Sequence, residues 1–252
     1  MLQAGIERIM TPRLLWRGML AGVLAAVLVF LFARVFAEPQ VDLAIAYEAA
    51  HEQAEMASMP GMAHAAEPEL VSRAVQKGLG LLTAVTLYGA AVGGIFALVF
   101  AYAYGRLARL SPRGLALVLA AIAFVVIGLV PALKYPPTPP AVGQHETVAL
   151  RTEAFFLMIA FSVVAAVLAL KLGRQFMTRL GTLNASLAAI GIYIVVIALA
   201  QKLLPPINEV PTDFPAAVLW NFRIASIGMQ ALLWSVIGLG FGALAKRTLQ
   251  RA

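Results

Sequence analysis

An acidic segment in the first third of the sequence combines imidazole, carboxylate and thioether side chains. Residues 41–56 are rich in alanine and glutamate, which predicts a helix. Its candidate ligands recur at spacings of three and four residues and therefore share one helical face: Glu48, His51, Glu52 and Glu55. Methionines then recur at every third residue around a Pro60-Gly61 turn, before a second histidine: Met56, Met59, Met62 and His64. All of these side chains are candidate metal ligands.

The two ligand sets suit different metals. Imidazole and carboxylate groups bind Co²⁺, Ni²⁺ or Zn²⁺, whereas thioether sulfur favours Cu(I). The residues leave both possibilities open, together with a solvated acidic linker whose methionines are incidental. Peptidase chemistry is disfavoured, because Glu55 stands where the H-E-x-x-H zinc motif requires its second histidine.

A second polar stretch lies between two long apolar runs. Residues 204–216 contain four prolines, which remove backbone donors and prevent a regular helix. Arg223 follows inside the next apolar run, where a charge needs a partner or a function. Glu209 is its expected partner, with Glu146 and Glu153 as rivals. The arginine then acts either as a clamp on the outer loops or as a gate that opens when a metal competes for the carboxylate.

The candidate residues for a transport path or gate are polar groups at the predicted outer ends of the helices and on the last apolar run. They are His145, Glu146, Arg151, Asn208, Glu209, Asp213, Asn221, Arg223 and Gln230.

The composition is that of a membrane protein. Of 252 residues, 62% are apolar and 12% are charged, whereas soluble domains average about 45–50% apolar and about 25% charged. The absence of cysteine excludes disulfides, thiolate metal sites and thiol nucleophiles. No G-x-x-x-x-G-K-[ST] phosphate loop occurs, so ATP hydrolysis by that route is excluded. We expect no enzyme activity and no resident cofactor, only a transported divalent metal.

Six apolar runs are long enough to cross a bilayer as helices: 14–36, 79–104, 115–133, 153–171, 183–203 and 216–244. The first is longer than a signal-peptide core, so we expect it to be retained. Basic residues cluster before the first run, in alternate loops and at the C-terminus, while the other loops hold nearly all the acids. Basic loops stay cytoplasmic, which predicts that both termini are inside. The net charge of +7 therefore reflects membrane topology rather than a nucleic-acid surface.

The predicted fold is an all-α membrane protein, a bundle of six transmembrane helices in one membrane domain, 1–252, with a long extracytoplasmic acidic loop at 37–78. Prolines, an acid and an arginine recur in the outer loops, which leaves three repeated helical hairpins open as one arrangement of the bundle. Three pairs of glycines spaced by four residues indicate close helix packing, within the bundle or against a partner helix: Gly18/Gly22, Gly89/Gly93 and Gly238/Gly242.

The proline-rich stretch also carries a family resemblance. The residues that carry it are Leu204-Pro205, Asn208-Glu209-Val210-Pro211, Phe214-Pro215-Ala216, Leu219-Trp220 and Phe222-Arg223. In this order they resemble the signature of the CbtA family of cobalt transporter subunits. Segments 68–83, 130–136 and 147–152 resemble further motifs of that family, so that the resemblance covers about 14–247.

The resemblance implies a multi-pass subunit of a cobalt-uptake system in the bacterial inner membrane. It also implies a small single-span partner subunit that carries histidines. Two alternatives stay open: an accessory or binding subunit without its own transport path, and a transporter of copper or of an anionic metal chelate. The chelate is favoured by basic residues along the predicted outer membrane edge: Arg34, Lys77, Lys134, Arg151, Lys202 and Arg223.

Overall fold

The computed structural model describes residues 2–58, 71–106 and 110–250. The helices are α1 (Leu2–Phe36), α2 (Glu38–Ser58), α3 (Arg73–Val75), α4 (Leu81–Ala103), α5 (Pro112–Ala123), α6 (Val130–Lys134), α7 (Val148–Leu203) and α8 (Ala216–Leu249). Two π-helical segments, Gln76–Gly80 and Phe124–Leu129, lead into α4 and α6. The described ranges contain no β-strand, which confirms the all-α prediction.

Five helical stretches in the described ranges are long and apolar enough to cross a membrane: Thr11–Phe36, Arg73–Ala103, Pro112–Lys134, Val148–Leu203 and Ala216–Leu249. The count differs from six because two predicted runs, 153–171 and 183–203, both lie within α7. Gly181 interrupts α7 with φ 74° and ψ 170°, a conformation open to glycine but unfavourable for other residues. Beyond it the chain folds back, since the Ser162 and Tyr193 hydroxyl oxygens are 2.8 Å apart.

The chain divides into two compact units. Unit 1 comprises Met1–Ala123, Pro139–Ala141 and Pro215–Ala252, and unit 2 comprises Phe124–Thr138 and Val142–Phe214. Unit 1 therefore holds α1 to α5 and α8, whereas unit 2 holds α6, α7 and the proline-rich loop that follows α7.

Glycines bring the helices of unit 1 into backbone contact. A Cβ on Gly22 of α1 would lie 1.9 Å from the carbonyl oxygen of Gly89 on α4, and one on Gly93 would lie 2.1 Å from that of Gly18. On α8, a Cβ on Gly238 would lie 2.7 Å from the Cβ of Ala120 on α5. All three predicted glycine pairs thus lie at close helix contacts within this chain. A side chain at these positions would force the helices apart.

The π-helical segments have local causes. Pro131 lacks a backbone donor, so the helix cannot keep its regular hydrogen bonding through Phe124–Leu129. Gly78 leaves helical geometry, with φ −103° and ψ −106°, at the entry to α4. In the described part of the chain this helical stretch begins at Arg73 and bends at Gly78, so it does not run unbroken into the apolar run.

Candidate functional site

The acidic helix forms as the alanine-rich sequence predicts. It is α2, Glu38–Ser58, and it follows α1 after a single turn residue, Ala37. Glu48, His51 and Glu52 are exposed on it, and the His51 ring lies against that of Tyr47 with centroids 5.0 Å apart. The described residues contain no group of three or more His, Asp or Glu side chains placed to hold a metal ion.

Of the remaining candidate ligands of this segment, the described residues include one complete side chain. Met56 is exposed near the end of α2. Met59, Met62 and His64 lie outside the described residues, as does the side chain of Glu55. Capture by the whole loop therefore stays a prediction.

An ion-pair cluster anchors the start of α2. Arg73 binds the carboxylate of Glu38 and also Asp42, with its Nε 3.0 Å from Asp42 Oδ1. Lys77 Nζ lies 3.1 Å from Asp42 Oδ2, and the Lys77 carbonyl accepts a hydrogen bond from Arg34. The hydrogen bond from Lys77, with further help from Arg73, lowers the pKa of Asp42 below its usual value. The first turns of α2 are thereby tied to the helix that enters the bilayer.

The sequence prediction missed Asp42 in this cluster. Arg34 and Lys77 stood out among the basic residues of the predicted outer membrane edge, but not as partners of acids on α2. The available signal was the spacing of Glu38 and Asp42, which places both carboxylates on one side of a helix. That spacing could not name the basic residues that meet them.

A second cluster lies in unit 2, around Glu209 of the proline-rich loop. Glu209 Oε2 is 3.4 Å from Arg151 Nε and accepts a 2.8 Å hydrogen bond from the backbone N–H of Gln144. Arg151 Nη2 donates to the Gln144 carbonyl at 3.1 Å. The pKa of Glu209 is lowered by hydrogen bonds from the Thr147 side chain and the Gln144 N–H, and by the charge of Arg151. We call this group the Glu209 clamp.

The clamp corrects the expected pairing of Glu209 with Arg223. Arg151 is the partner, at the start of α7 and within the same unit as Glu209. Gly143 makes room for it: its φ is 120°, and a Cβ there would lie 2.1 Å from Arg151 Nη1. The sequence could not select Arg151 over Arg223, because both follow a proline-rich loop at the start of an apolar run.

The other predicted path residues are placed as follows. Glu146, Asn208, Asp213 and Asn221 are exposed, and the His145 side chain lies outside the described residues. Arg223 and Gln230 are half-buried on α8. The Nε of Arg223 and the Oε1 of Gln230 are buried and have no hydrogen-bond partner among the described residues.

Polar contacts join the end of α6 to the C-terminal end of α7 in unit 2. Lys134 Nζ donates to the Gln201 carbonyl at 2.6 Å, and the Tyr135 hydroxyl donates to the Pro205 carbonyl at 2.9 Å. Within α7, the Ser162 and Tyr193 hydroxyls are hydrogen-bonded across the break at Gly181, and Tyr193 packs in a cluster with Met158, which is fully buried. These polar groups of the helices are satisfied by one another.

Comparison with protein families decides the identity. The model of the CbtA family, described as probable cobalt transporter subunit, matches residues 11–246. The chain belongs to the CbtA family. The match spans both units, the ion-pair cluster of α2 and the Glu209 clamp. Neither the curated proteins nor the solved structures compared with the chain give a match.

Membership agrees with the apolar helices. CbtA is a family of transporter subunits, and this member is a multi-pass, helical membrane protein. The word subunit implies an assembly with a partner, whose identity the family description does not state. The family description places the chain among transporter subunits.

Proposed function

We propose that this CbtA chain is the bacterial inner-membrane subunit of a cobalt-uptake system, with both termini cytoplasmic and α2 on the extracytoplasmic side. Cobalt is first captured along the distal half of α2 and the methionine-containing loop after it. A small single-span subunit that carries histidines then works with this chain.

The observation that carries the capture step is a contrast along α2. Near its start, Glu38 and Asp42 are neutralised by Arg73 and Lys77. Two turns later, Glu48 and Glu52 are exposed on either side of His51. Carboxylates at such spacing repel one another unless solvent or a cation intervenes. The basic residues thus hold the helix in place and leave its distal carboxylates available to Co²⁺, which accepts imidazole and carboxylate ligands.

The Glu209 clamp is a candidate gate at the outer ends of the helices in unit 2. Its carboxylate forms an ion pair with Arg151 and at the same time accepts a hydrogen bond from the Gln144 N–H. A cation that competes for this carboxylate would release both loop segments. The alternative role is a static clamp, and both roles require Arg151.

Metal accumulation in cells tests the function. Bacteria that express this chain with its partner subunit are compared with cells that lack either one, for cobalt, nickel, copper and zinc. We expect cobalt to accumulate several-fold more in the complete strain. Equal cobalt in all strains would contradict the proposal, whereas accumulation of copper alone would transfer the capture role to the methionines.

A further inference from the structure

Three polar atoms on one face of α8 are buried without a hydrogen-bond partner in the part of the chain that the structure describes. They are Arg223 Nε, Gln230 Oε1 and Trp234 Nε1. Gln230 and Trp234 follow Arg223 by seven and eleven residues, which places all three within about 20° of one line along the helix. We call them the α8 polar row. Trp234 did not stand out in the sequence, because a tryptophan in an apolar run is ordinary.

Such a row calls for a physical explanation. Buried polar atoms in proteins are nearly always hydrogen-bonded, and an unpaired group is costly, above all on a charged side chain. Nearby on α8, the Ser226 hydroxyl meets this requirement by donating to the Phe222 carbonyl at 2.8 Å. Three unmet groups in line indicate a position where a polar species binds.

The length of the α8 polar row indicates that a ligand contacts the three side chains at successive positions along the helix. From Arg223 to Trp234 the helix rises about 16 Å, more than one small ion can bridge. Beyond Trp234 the same face continues to Phe241, which is fully buried and packs against Phe100 with ring centroids 5.0 Å apart. Phe96 contacts both Trp234 and Phe241, at centroid distances of 6.3 Å and 5.5 Å. Aromatic rings thus close the inner end of the row.

The chemistry of the row favours an acceptor-rich ligand. The arginine guanidinium and the indole N–H only donate hydrogen bonds, and the glutamine amide can donate as well as accept. A guanidinium matches carboxylate or phosphate oxygens in a bidentate manner and repels a bare divalent cation. The two unpartnered donors, Arg223 Nε and Trp234 Nε1, therefore suit the oxygen atoms of an anion better than they suit Co²⁺ itself. The unpartnered Gln230 Oε1 needs a donor, which a hydroxyl group or a metal-bound water of the ligand supplies.

We propose that the α8 polar row binds the metal as an anionic chelate, in which a polycarboxylate surrounds the cobalt ion. Arg223 neutralises the charge of the chelate, and the Trp234 indole N–H donates to one of its oxygen atoms farther along the helix. Gln230 Oε1 accepts from a hydroxyl group of the polycarboxylate, such as that of citrate, or from a metal-bound water. This inference rests on the proposed cobalt uptake and specifies the form in which the metal reaches α8.

A tryptophan reporter tests the inference in the purified full-length chain. Trp16 and Trp220 are 60% and 63% exposed, so their replacement by phenylalanine should be tolerated and leaves Trp234 as the only tryptophan. Paramagnetic Co²⁺ quenches indole emission at short range. We expect Co²⁺–citrate to quench Trp234 saturably at concentrations where Co²⁺ alone has no effect, and excess free citrate to relieve the quenching. Saturable quenching by Co²⁺ alone, or by neither form, would overturn the inference.

A matched pair of variants separates a bound ligand from a nonspecific charge effect. Arg223→Gln should weaken chelate binding at least tenfold, whereas Arg179→Gln, the same substitution at an exposed arginine, should leave it unchanged. If Arg223→Gln fails to insert, Gln230→Leu keeps the charge and should still weaken binding several-fold. Equal binding by an inserted Arg223→Gln variant and by Arg179→Gln would overturn the inference.

The absence of cysteine allows an independent accessibility test. The Gln230→Cys variant should react with a charged, water-soluble thiol reagent, and Co²⁺–citrate should protect it. Ile224, which is 52% exposed on another face of α8, provides the lipid-facing control, and the Ile224→Cys variant should react poorly. No reaction at position 230, or no protection, would contradict the inference.

Cells that accumulate cobalt without chelate binding to α8 would overturn this inference alone, while chelate binding without accumulation would overturn the proposed function alone.

Discussion

Unit 1 and unit 2 hold their helices together in different ways. In unit 1, α1 and α4 meet through glycine backbones, with Gly22 and Gly89 too close to admit a side chain. In unit 2, the ends of α6 and α7 are held by polar loop contacts, among them Lys134 to the Gln201 carbonyl and Arg151 to Glu209. Backbone packing of the first kind depends on shape alone, whereas the second kind depends on charge and therefore on pH and salt.

The largest expected effect is in the glycine contact. Gly22→Leu places a side chain where even a Cβ would lie 1.9 Å from the Gly89 carbonyl oxygen, so α1 and α4 must separate. Overpacking of this kind costs about 1–3 kcal/mol or more, and here no flexible side chain can move aside. Thermal unfolding in detergent should show a strong loss of stability or no folded protein. Gly191→Leu is the control, because its Cβ would meet no atom within 4 Å. Equal stability of the two variants would contradict the glycine contact.

The next effect is in the Glu209 clamp. Gly143→Ala combines a strained backbone at φ 120° with a Cβ 2.1 Å from Arg151 Nη1. A non-glycine residue in such a conformation costs on the order of 1–3 kcal/mol, and the displaced arginine loses Glu209 in addition. Gly181→Ala measures the backbone strain alone, because the φ of Gly181 is 74° and an added Cβ there would meet no atom within 4 Å. We expect a lower melting temperature for Gly143→Ala than for Gly181→Ala. The reverse order would show that Arg151 is not held against Gly143.

Acid should weaken the charged contacts and spare the glycine contact. Pairing lowers the folded-state pKa of Asp42 and of Glu209 below their unfolded values. Each therefore contributes stability that is present above the unfolded pKa, about 4, and is lost as pH falls through the folded pKa. Melting temperatures between pH 7 and pH 3 should fall at the acid end, and less steeply in Asp42→Asn and Glu209→Gln. Unchanged acid sensitivity in both variants would exclude these carboxylates as its source.

The smallest expected effect on folding is on exposed α2, where the effect on function should be large. Glu48→Gln, His51→Asn and Glu52→Gln together alter only exposed side chains. Surface changes of this kind usually alter stability by less than about 0.5 kcal/mol. Cobalt accumulation at low external cobalt should nevertheless fall several-fold, with Glu153→Gln at another exposed acid as the control. Normal accumulation by the triple variant would remove α2 from the capture step.

Most of the helices and their glycine contacts could be predicted from the sequence. Apolar length and alanine content are local properties, so α2 and the membrane-spanning stretches follow from the residues themselves. The break of α7 at Gly181 was predicted only as a loop between two runs, because glycine permits such a conformation without requiring it. The bend at Gly78 escaped prediction for the same reason.

Charge pairing was predicted less well than the helices. Basic and acidic residues stood out in the right loops, but Glu209 was assigned to Arg223, and Asp42 was overlooked. Both errors have one cause: long charged side chains near irregular loops have several partners within reach, and sequence separation does not rank them. The pairs join segments that are far apart in sequence: Asp42 and Arg73 are 31 residues apart, and Arg151 pairs with Glu209 from the opposite end of α7.

The sequence by itself determined a cysteine-free, all-helical membrane chain and its membership of CbtA, because composition, apolar length and motif order are properties of the chain alone. Tertiary structure decided which glycines touch, which acids are neutralised and which polar groups of α8 are left without partners. Those outcomes depend on distances of a few ångströms between segments far apart in sequence. Arg223 illustrates the division. Its presence in an apolar run is a property of the sequence, whereas the burial of its Nε without a hydrogen-bond partner among the described residues is a property of the fold.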